Sequence, residues 1–172
     1  WVRAAIEENY ALMPVDALEA EQLKPFERLV MAQPRALAPS ENVALDAWVR
    51  AGGDVLILAD PMLTRHSEFA IGDRRRPQDV VLLSPILSRW GLKLQFDETQ
   101  PSGERDVRVL GTSVPVNLAG RFSLIETPAS AECTVLGEGL AARCRIGGGR
   151  VFLIADAAVL DDGHGHDGAS TH

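Results

Sequence analysis

The chain has 172 residues, a net charge of −7 and a pI of about 5.1. Its 46% apolar and 24% charged residues are typical of a globular protein with one domain and a core of its own. The acidic balance argues against a nucleic-acid or anionic-membrane surface, because either would need a basic stripe. No run approaches the roughly 20 apolar residues of a membrane helix.

The first third of the chain alternates between helical and strand patterns. It is predicted to open with a helix over residues 1–9, a short strand over 10–13 and a weak helix over 17–23. Residues 28–32 (RLVMA) follow as a buried strand. Together with the next helix and strand, this order is typical of a doubly wound parallel sheet, in which short links join strands to crossover helices.

The next helix and strand form the clearest part of the pattern. Ser40 is the predicted N-cap of an amphipathic helix that a glycine pair at 52–53 ends. Asp46 and Arg50 fall opposite its apolar face, at a spacing that favours an ion pair. Residues 55–59 (VLILA) are continuously apolar, which predicts a strand covered on both faces.

The rest of the chain changes in character. A long polar loop over 61–78 precedes a helix over 80–90, which Pro85 should bend or break, and a strand over 92–96. Short alternating segments then predict antiparallel hairpins, before a last buried strand over 150–155. We therefore expect one domain over 1–160 with a hairpin-rich extension at 98–146, and a flexible polar tail at 161–172.

Two aspartates are the first candidates for a binding site. GGDVLILAD (52–60) recurs as GGRVFLIAD (148–156), so Asp60 and Asp156 both end a buried strand. Ligands of open α/β sheets bind beyond the carboxyl ends of the strands. Each aspartate could hydrogen-bond a ligand or hold a cation, or it could cap the turn that follows its strand. The similarity of the two segments is consistent with a duplication or with a sequence pattern that buried strands commonly share.

The other candidates are weaker. His66 could act as an acid or base, although a loop histidine without a partner is usually only exposed. The tail offers metal-binding residue types at Asp161, Asp162, His164, His166 and Asp167, for which adventitious metal or disorder is the alternative.

The remaining motifs point away from catalysis. No G-x-S-x-G or G-x-C-x-G is present, so the sequence predicts no catalytic residue, metal site or cofactor. The glycines at 147–149 precede a strand and predict a hairpin turn rather than a phosphate loop. The basic run at 74–76 predicts a solvated loop. Cys133 and Cys144 fit buried small residues, and a disulfide between them is an open alternative.

Four segments carry a family resemblance. The chain resembles the glutamine-amidotransferase-like domain of gliding-motility-type (GldG-like) ABC transporter auxiliary proteins in LVMAQPRALAPSENVALDAWVRAGGDVLILADPML, GDRRRP, LLSPILSRWGLKL and the later GGGRVFLIADAAVLDD. The resemblance implies a class I amidotransferase-like, flavodoxin-like fold without the nucleophile. It also implies a parent protein anchored in the inner membrane, with this domain on the extracytoplasmic (periplasmic) side, and ABC permease subunits as partners.

The sequence thus predicts a soluble α/β domain, doubly wound and mainly parallel, with an antiparallel β extension in its C-terminal half. Its expected function is non-catalytic binding at Asp60, Asp156, His66 and the 61–78 loop, and a small molecule or glycan is an open choice of ligand. The alternatives are a metal-assisted hydrolase that uses the two aspartates, and a structural dimerisation domain. The oligomeric state is left open.

Overall fold

The structure is a computed structural model and describes residues 2–64, 67, 69–73, 76–127 and 129–160. Short helices and strands make up this part of the chain. The helices are α1 (Val2–Glu7), α2 (Ala20–Leu23), α3 (Pro39–Arg50) and α4 (Ser84–Arg89). The strands are β1 (Arg28–Ala32), β2 (Asp54–Leu58), β3 (Leu92–Gln95), β4 (Arg105–Val109), β5 (Thr112–Val116), β6 (Arg121–Leu124), β7 (Glu132–Leu136), β8 (Ala141–Ile146) and β9 (Gly149–Ile154).

A five-stranded mixed sheet with the order β1-β2-β9-β8-β7 forms the centre of the fold. Strands β1, β2 and β9 are parallel, whereas β8 runs antiparallel to both β9 and β7. Ile146 pairs with Gly149, so the glycine run makes the predicted hairpin turn. Two smaller antiparallel ladders join β3 to β6 and β4 to β5.

The main hydrophobic core lies on one face of this sheet. Met31, Ile57 and Leu153 project from three neighbouring strands into the same cluster as side chains of α3 and α4. Trp90, directly after α4, is fully buried there. The pattern of apolar residues at every second strand position therefore defines a helix-covered face, which we call the inner face.

The opposite, outer face is partly covered by a hairpin. The β4–β5 hairpin packs Val107, Val109 and Val116 there, against Phe152 and Ile154 of β9. A second, smaller core results. Residue Leu56, in the middle of β2, is only half-buried because the hairpin does not extend over it.

The predicted doubly wound, flavodoxin-like sheet is therefore wrong. Only the β1–β2 connection is a single crossover helix, α3. The connection from β2 to β9 instead runs through α4 and six strands, two of which, β7 and β8, complete the central sheet antiparallel to their neighbours. The strand predicted at 55–59 was expected to have helices on both faces. Helices α3 and α4 pack against its inner face.

Helix α3 begins two residues earlier than predicted. Pro39 is its first residue and Ala38 is the N-cap, so Ser40 lies inside the first turn. Proline suits this position because the N–H that it lacks would have no helical partner. The Glu41 carboxylate accepts the Ala38 N–H at 2.8 Å, which replaces the contact expected from Ser40.

Asp46 is buried rather than on the solvent face of α3. It forms the predicted pair with Arg50 at 3.0 Å, but its side chain is only 5% exposed. Its carboxylate also accepts hydrogen bonds from Arg89 Nε at 2.5 Å and Trp90 Nε1 at 2.9 Å. Burial opposes ionisation, yet these bonds and those from Arg50 outweigh it and lower the pKa of Asp46. The carboxylate therefore ties α3 to α4.

Two other local predictions fail. Residues 10–13 are not a strand, and the helix predicted over 80–90 covers only Ser84–Arg89. Pro85 lies in the first turn of α4 and so begins the helix instead of bending it. Among the described residues, no helix is long and apolar enough to cross a membrane.

Cys133 and Cys144 form a disulfide. They are directly opposite each other on β7 and β8, with their Cα atoms 4.1 Å apart. The open alternative is thus decided by strand pairing, because the register brings together two residues that the sequence separates by 11.

Candidate functional site at the carboxyl edge of the sheet

The carboxyl ends of the three parallel strands meet at one edge. Residues Leu58 and Ile154 pair at the ends of β2 and β9, and the N–H of Ala59 donates to Ile154 O at 2.8 Å. The two copies of the GG-to-AD motif are therefore neighbours in register. This pairing places Asp60 and Asp156 side by side at the edge, as the sequence predicts.

Asp60 holds the turn that leaves the end of β2. Its carboxylate is 1% exposed and accepts the N–H of Met62 at 2.8 Å, two residues ahead. The other oxygen accepts the N–H of Ala157 from the neighbouring strand end at 3.4 Å. The alternative in which this aspartate caps the following turn is confirmed, and the same carboxylate links β2 to β9.

Asp156 has the same role at the end of β9. One oxygen accepts the N–H of Ala158 at 2.5 Å and caps the 3₁₀ turn over Ala158–Leu160. The other accepts the N–H of Asn117 at 2.8 Å and so fixes the residue directly after β5. Asp156 is 1% exposed. Each aspartate thus satisfies one local and one distant backbone N–H, which explains why carboxylates can be buried here.

Gln33 is the residue at this edge that the sequence reasoning missed. Its side-chain Oε1 accepts the N–H of Asp60 at 2.9 Å, and its Nε2 donates to Asp60 O and to Gln78 O, both at 2.8 Å. It is 6% exposed and has a positive φ of 46°. The available signal was a polar residue directly after a buried strand, one position before the register equivalent of the two aspartates.

The 61–78 loop is closed at its base by these contacts. Gln33 binds both Asp60, the residue before the loop, and Gln78, the last residue of the loop. Two backbone bonds add to the closure: Leu63 N–H to Asp79 O at 3.0 Å, and Val81 N–H to Asp60 O at 3.2 Å. The two ends of the loop are therefore held together.

The described part of the loop exposes apolar side chains. Ile71 is 92% exposed and Met62 is 41% exposed. Arg76 donates to Phe69 O at 3.0 Å and pairs with Asp79 at 3.1 Å, so it braces the loop from within. An exposed isoleucine on a braced loop is a suitable anchor for a partner surface.

Several predicted candidates lie outside the described residues. These are His66, Arg74, Arg75 and the five acidic and histidine residues of the tail, Asp161, Asp162, His164, His166 and Asp167. Within the described ranges, no group of three or more histidine, cysteine, aspartate or glutamate side chains is arranged to hold a metal ion.

No protein-family model matches the chain, and no curated protein sequence matches it. Solved structures do share its fold. The chain is similar to the mmIFT52 N-terminal domain, with 13% identity, a TM-score of 0.62, and coverage of 94% of this chain and 80% of that domain. At this identity, the likeness shows the fold alone.

Two glycosidases also match. Gan42B, a GH42 β-galactosidase from G. stearothermophilus, has 15% identity and a TM-score of 0.55, over 84% of this chain and 21% of its own. The exo-β-1,4-mannosidase Op5Man5 from Opitutaceae bacterium strain TAV5 has 15% identity and a TM-score of 0.51, over 86% of this chain and 23% of its own. The chain therefore spans under a quarter of the length of each glycosidase.

These matches correct the family resemblance. The similar structures are glycosidases and the IFT52 domain, and they are neither glutamine amidotransferases nor GldG-like proteins. The resemblance, and the amidotransferase-like fold that it implied, are wrong. The first quoted segment corresponds to α3 between the parallel strands β1 and β2, and the last includes the parallel strand β9. Many α/β and mixed folds share this local pattern.

Proposed function

We propose that this chain is a non-catalytic binding domain, and that its recognition surface is the 61–78 loop with the sheet edge from which the loop leaves. The observation that carries this proposal is the contact of Gln33 with both ends of the loop. The buried side chain fixes the base of the loop while Ile71 extends into solvent. Preorganisation of this kind reduces the entropy lost on binding.

The two aspartates support the binding surface rather than reaction chemistry in this proposal. Each accepts two backbone N–H groups, in bonds that hold the strand ends in place. Their role is to keep the edge rigid. A small molecule or glycan would bind at the same edge, against the loop.

We further propose an extracytoplasmic (periplasmic) location, within an inner-membrane-anchored parent protein that works beside an ABC permease. The disulfide between Cys133 and Cys144 supports the location, because disulfides persist in oxidising compartments and are rare in the cytosol. Ile71 would then contact a permease subunit.

Photo-crosslinking in the native membrane tests the proposal. A benzoylphenylalanine in place of Ile71 should give an adduct with a permease subunit, identified by mass spectrometry. The matched control places the same group at Leu124, an exposed leucine of β6. Absence of an adduct from position 71, or equal adducts from both positions, would contradict the proposed surface.

The rival hydrolase makes a different prediction. It requires about one equivalent of divalent metal in purified protein, lost when Asp60→Asn and Asp156→Asn are introduced. Elemental analysis of the full chain measures this directly, and stoichiometric metal of that kind would replace the binding proposal. The dimerisation alternative requires a mass that depends on concentration, which sedimentation equilibrium would show.

A further inference from the structure

The outer face of the central sheet carries a row of charged side chains that crosses all five strands. The strand register places Arg28, Asp54, Arg150, Arg145 and Glu132 side by side, one from each of β1, β2, β9, β8 and β7. This row lies at the amino ends of the parallel strands. It is therefore at the opposite end of those strands from Asp60 and Asp156.

The next row on the same face is mainly apolar. Val30, Leu56 and Phe152 are neighbours in register, followed by Arg143 of β8. Val30 is 45% exposed, and Leu56 and Phe152 are only half-buried. Parallel strands normally have both faces covered, so the apolar residues Val30 of β1 and Leu56 of β2, which lie outside the hairpin's core, indicate a surface that a partner covers.

We refer to these two rows as the arginine strip. Its cations are all arginines, namely Arg28, Arg143, Arg145 and Arg150, against the two carboxylates Asp54 and Glu132, although the chain as a whole carries −7. The Asp54 carboxylate is already paired with Arg150, in two hydrogen bonds of which one measures 3.0 Å. Among the described residues, no carboxylate lies within ion-pair distance of Arg143 or Arg145, and both are exposed.

An open groove of about 890 Å³ continues the strip beyond β1. Arg28, Val30 and Leu56 line it on the sheet side, and residues 10–16 line its other wall. The guanidinium of Arg28 lies over the Tyr10 ring, 5.2 Å from its centroid. Met13, in the same wall, is 67% exposed. Apolar surface therefore lies beside the guanidinium group of Arg28 at this end of the strip.

We propose that the arginine strip binds an acidic segment of a partner protein. Arginine presents parallel N–H donors that match a carboxylate, and Arg143 and Arg145 have no carboxylate within ion-pair distance among the described residues. Apolar residues of the segment cover Val30 and Leu56. Nucleic acid fits less well, because the acidic remainder of the chain would repel a long polyanion.

A pair of peptides tests the charge requirement. One is a fluorescein-labelled peptide that alternates glutamate with leucine, and the other alternates lysine with leucine and has the same apolar content. Fluorescence anisotropy with the full chain should show saturable binding of the glutamate peptide, weakened by added salt, and at least about tenfold weaker binding of the lysine peptide. Failure of the glutamate peptide to bind would overturn the proposal.

Variants locate the binding. The double substitution Arg143→Glu and Arg145→Glu should weaken binding of the glutamate peptide about tenfold or more. The matched control, Lys93→Glu with Arg108→Glu, makes the same charge change at exposed positions outside the strip and should leave the affinity within about twofold. Equal losses of affinity in the two double variants would show that the effect comes from net charge alone, and would overturn the proposal. Arg143→Gln with Arg145→Gln repeats the test if the reversed charges prevent folding.

Two further outcomes would assign the strip to another occupant and overturn the proposal. One is saturable binding of labelled duplex DNA that the same arginine substitutions abolish. The other is self-association of the wild-type chain that those substitutions abolish. The variant Ile71→Asp should leave peptide binding unchanged, so failure at the carboxyl-edge loop and failure at the arginine strip are distinguishable.

Discussion

The side-chain amide of Gln33 pairs with the main chain of Asp60 through both of its polar atoms, at 2.9 Å to the N–H and 2.8 Å to the C=O. It extends the β1–β2 ladder by one step beyond Ala32, where Pro34 turns the main chain of β1 away. A side chain thus replaces a strand residue, and the same amide also binds Gln78 at the far end of the loop.

Removal of this amide should loosen the loop base. Gln33→Ala leaves the buried N–H of Asp60 and two carbonyl groups without these partners, so we expect a loss of about 2 kcal/mol in the free energy of unfolding. Urea unfolding measures it. The control is Gln100→Ala, which removes one hydrogen bond, to Ala119 O at 2.9 Å, at a partly buried site. Equal losses from the two variants would contradict the proposed role of Gln33.

Gly149 is predicted to tolerate no side chain. A Cβ atom there would lie 2.1 Å from Val49 O and 2.3 Å from Gly53 O, both of them backbone atoms. Gly149→Ala must therefore separate β9 from the end of α3, and we expect a loss of about 3 kcal/mol. Gly148→Ala is the matched control, because its nearest contact would be 3.4 Å. Thermal unfolding of the two variants should differ clearly, and similar melting temperatures would refute the prediction.

Glu41 should make stability fall in acid. The hydrogen bond from Arg35, partly offset by burial, lowers the pKa of Glu41 from 4.5 to about 2. A carboxyl whose folded pKa is depressed stabilises the fold above its unfolded pKa, and this contribution is lost as pH falls through the folded pKa. We therefore expect Glu41→Gln to destabilise the protein by about 1–2 kcal/mol at pH 7.

The same variant has a distinctive pH profile. Its difference from wild type should shrink between pH 4.5 and about 2, where the wild-type carboxyl becomes protonated. Urea unfolding at several pH values measures the difference. A constant difference across that window would show that Glu41 acts through packing rather than charge.

The disulfide should contribute to stability by restricting the unfolded chain. With a sequence separation of 11, the chain-entropy relation gives about 3 kcal/mol for Cys133–Cys144. Reduction, or the pair Cys133→Ala and Cys144→Ala, should lower the melting temperature by several degrees. Thiol titration of native, unreduced protein should find no free thiol. Two free thiols would contradict the pairing.

The candidate site was predictable where the chemistry is local. Strand-terminal aspartates are visible in the GG-to-AD repeat, and their turn-capping role follows from short-range geometry. Gln33 was harder to identify because its partners, Asp60 and Gln78, are distant in sequence. Ligand binding by Asp60 and Asp156 stays a prediction, and His66 lies outside the described residues.

The sequence by itself determined the local elements: α1, α3, the strands β1, β2 and β9, and the glycine turn between β8 and β9. Hydrophobic periodicity, and glycines that end a helix or form a turn, report such local preferences. Only the tertiary structure decided that β7 and β8 join the central sheet antiparallel to their neighbours, and that Asp46 is buried. It also decided that the β4–β5 hairpin packs on the outer face. The physical reason is that strand partners and face coverage depend on contacts between distant segments, which no local pattern records.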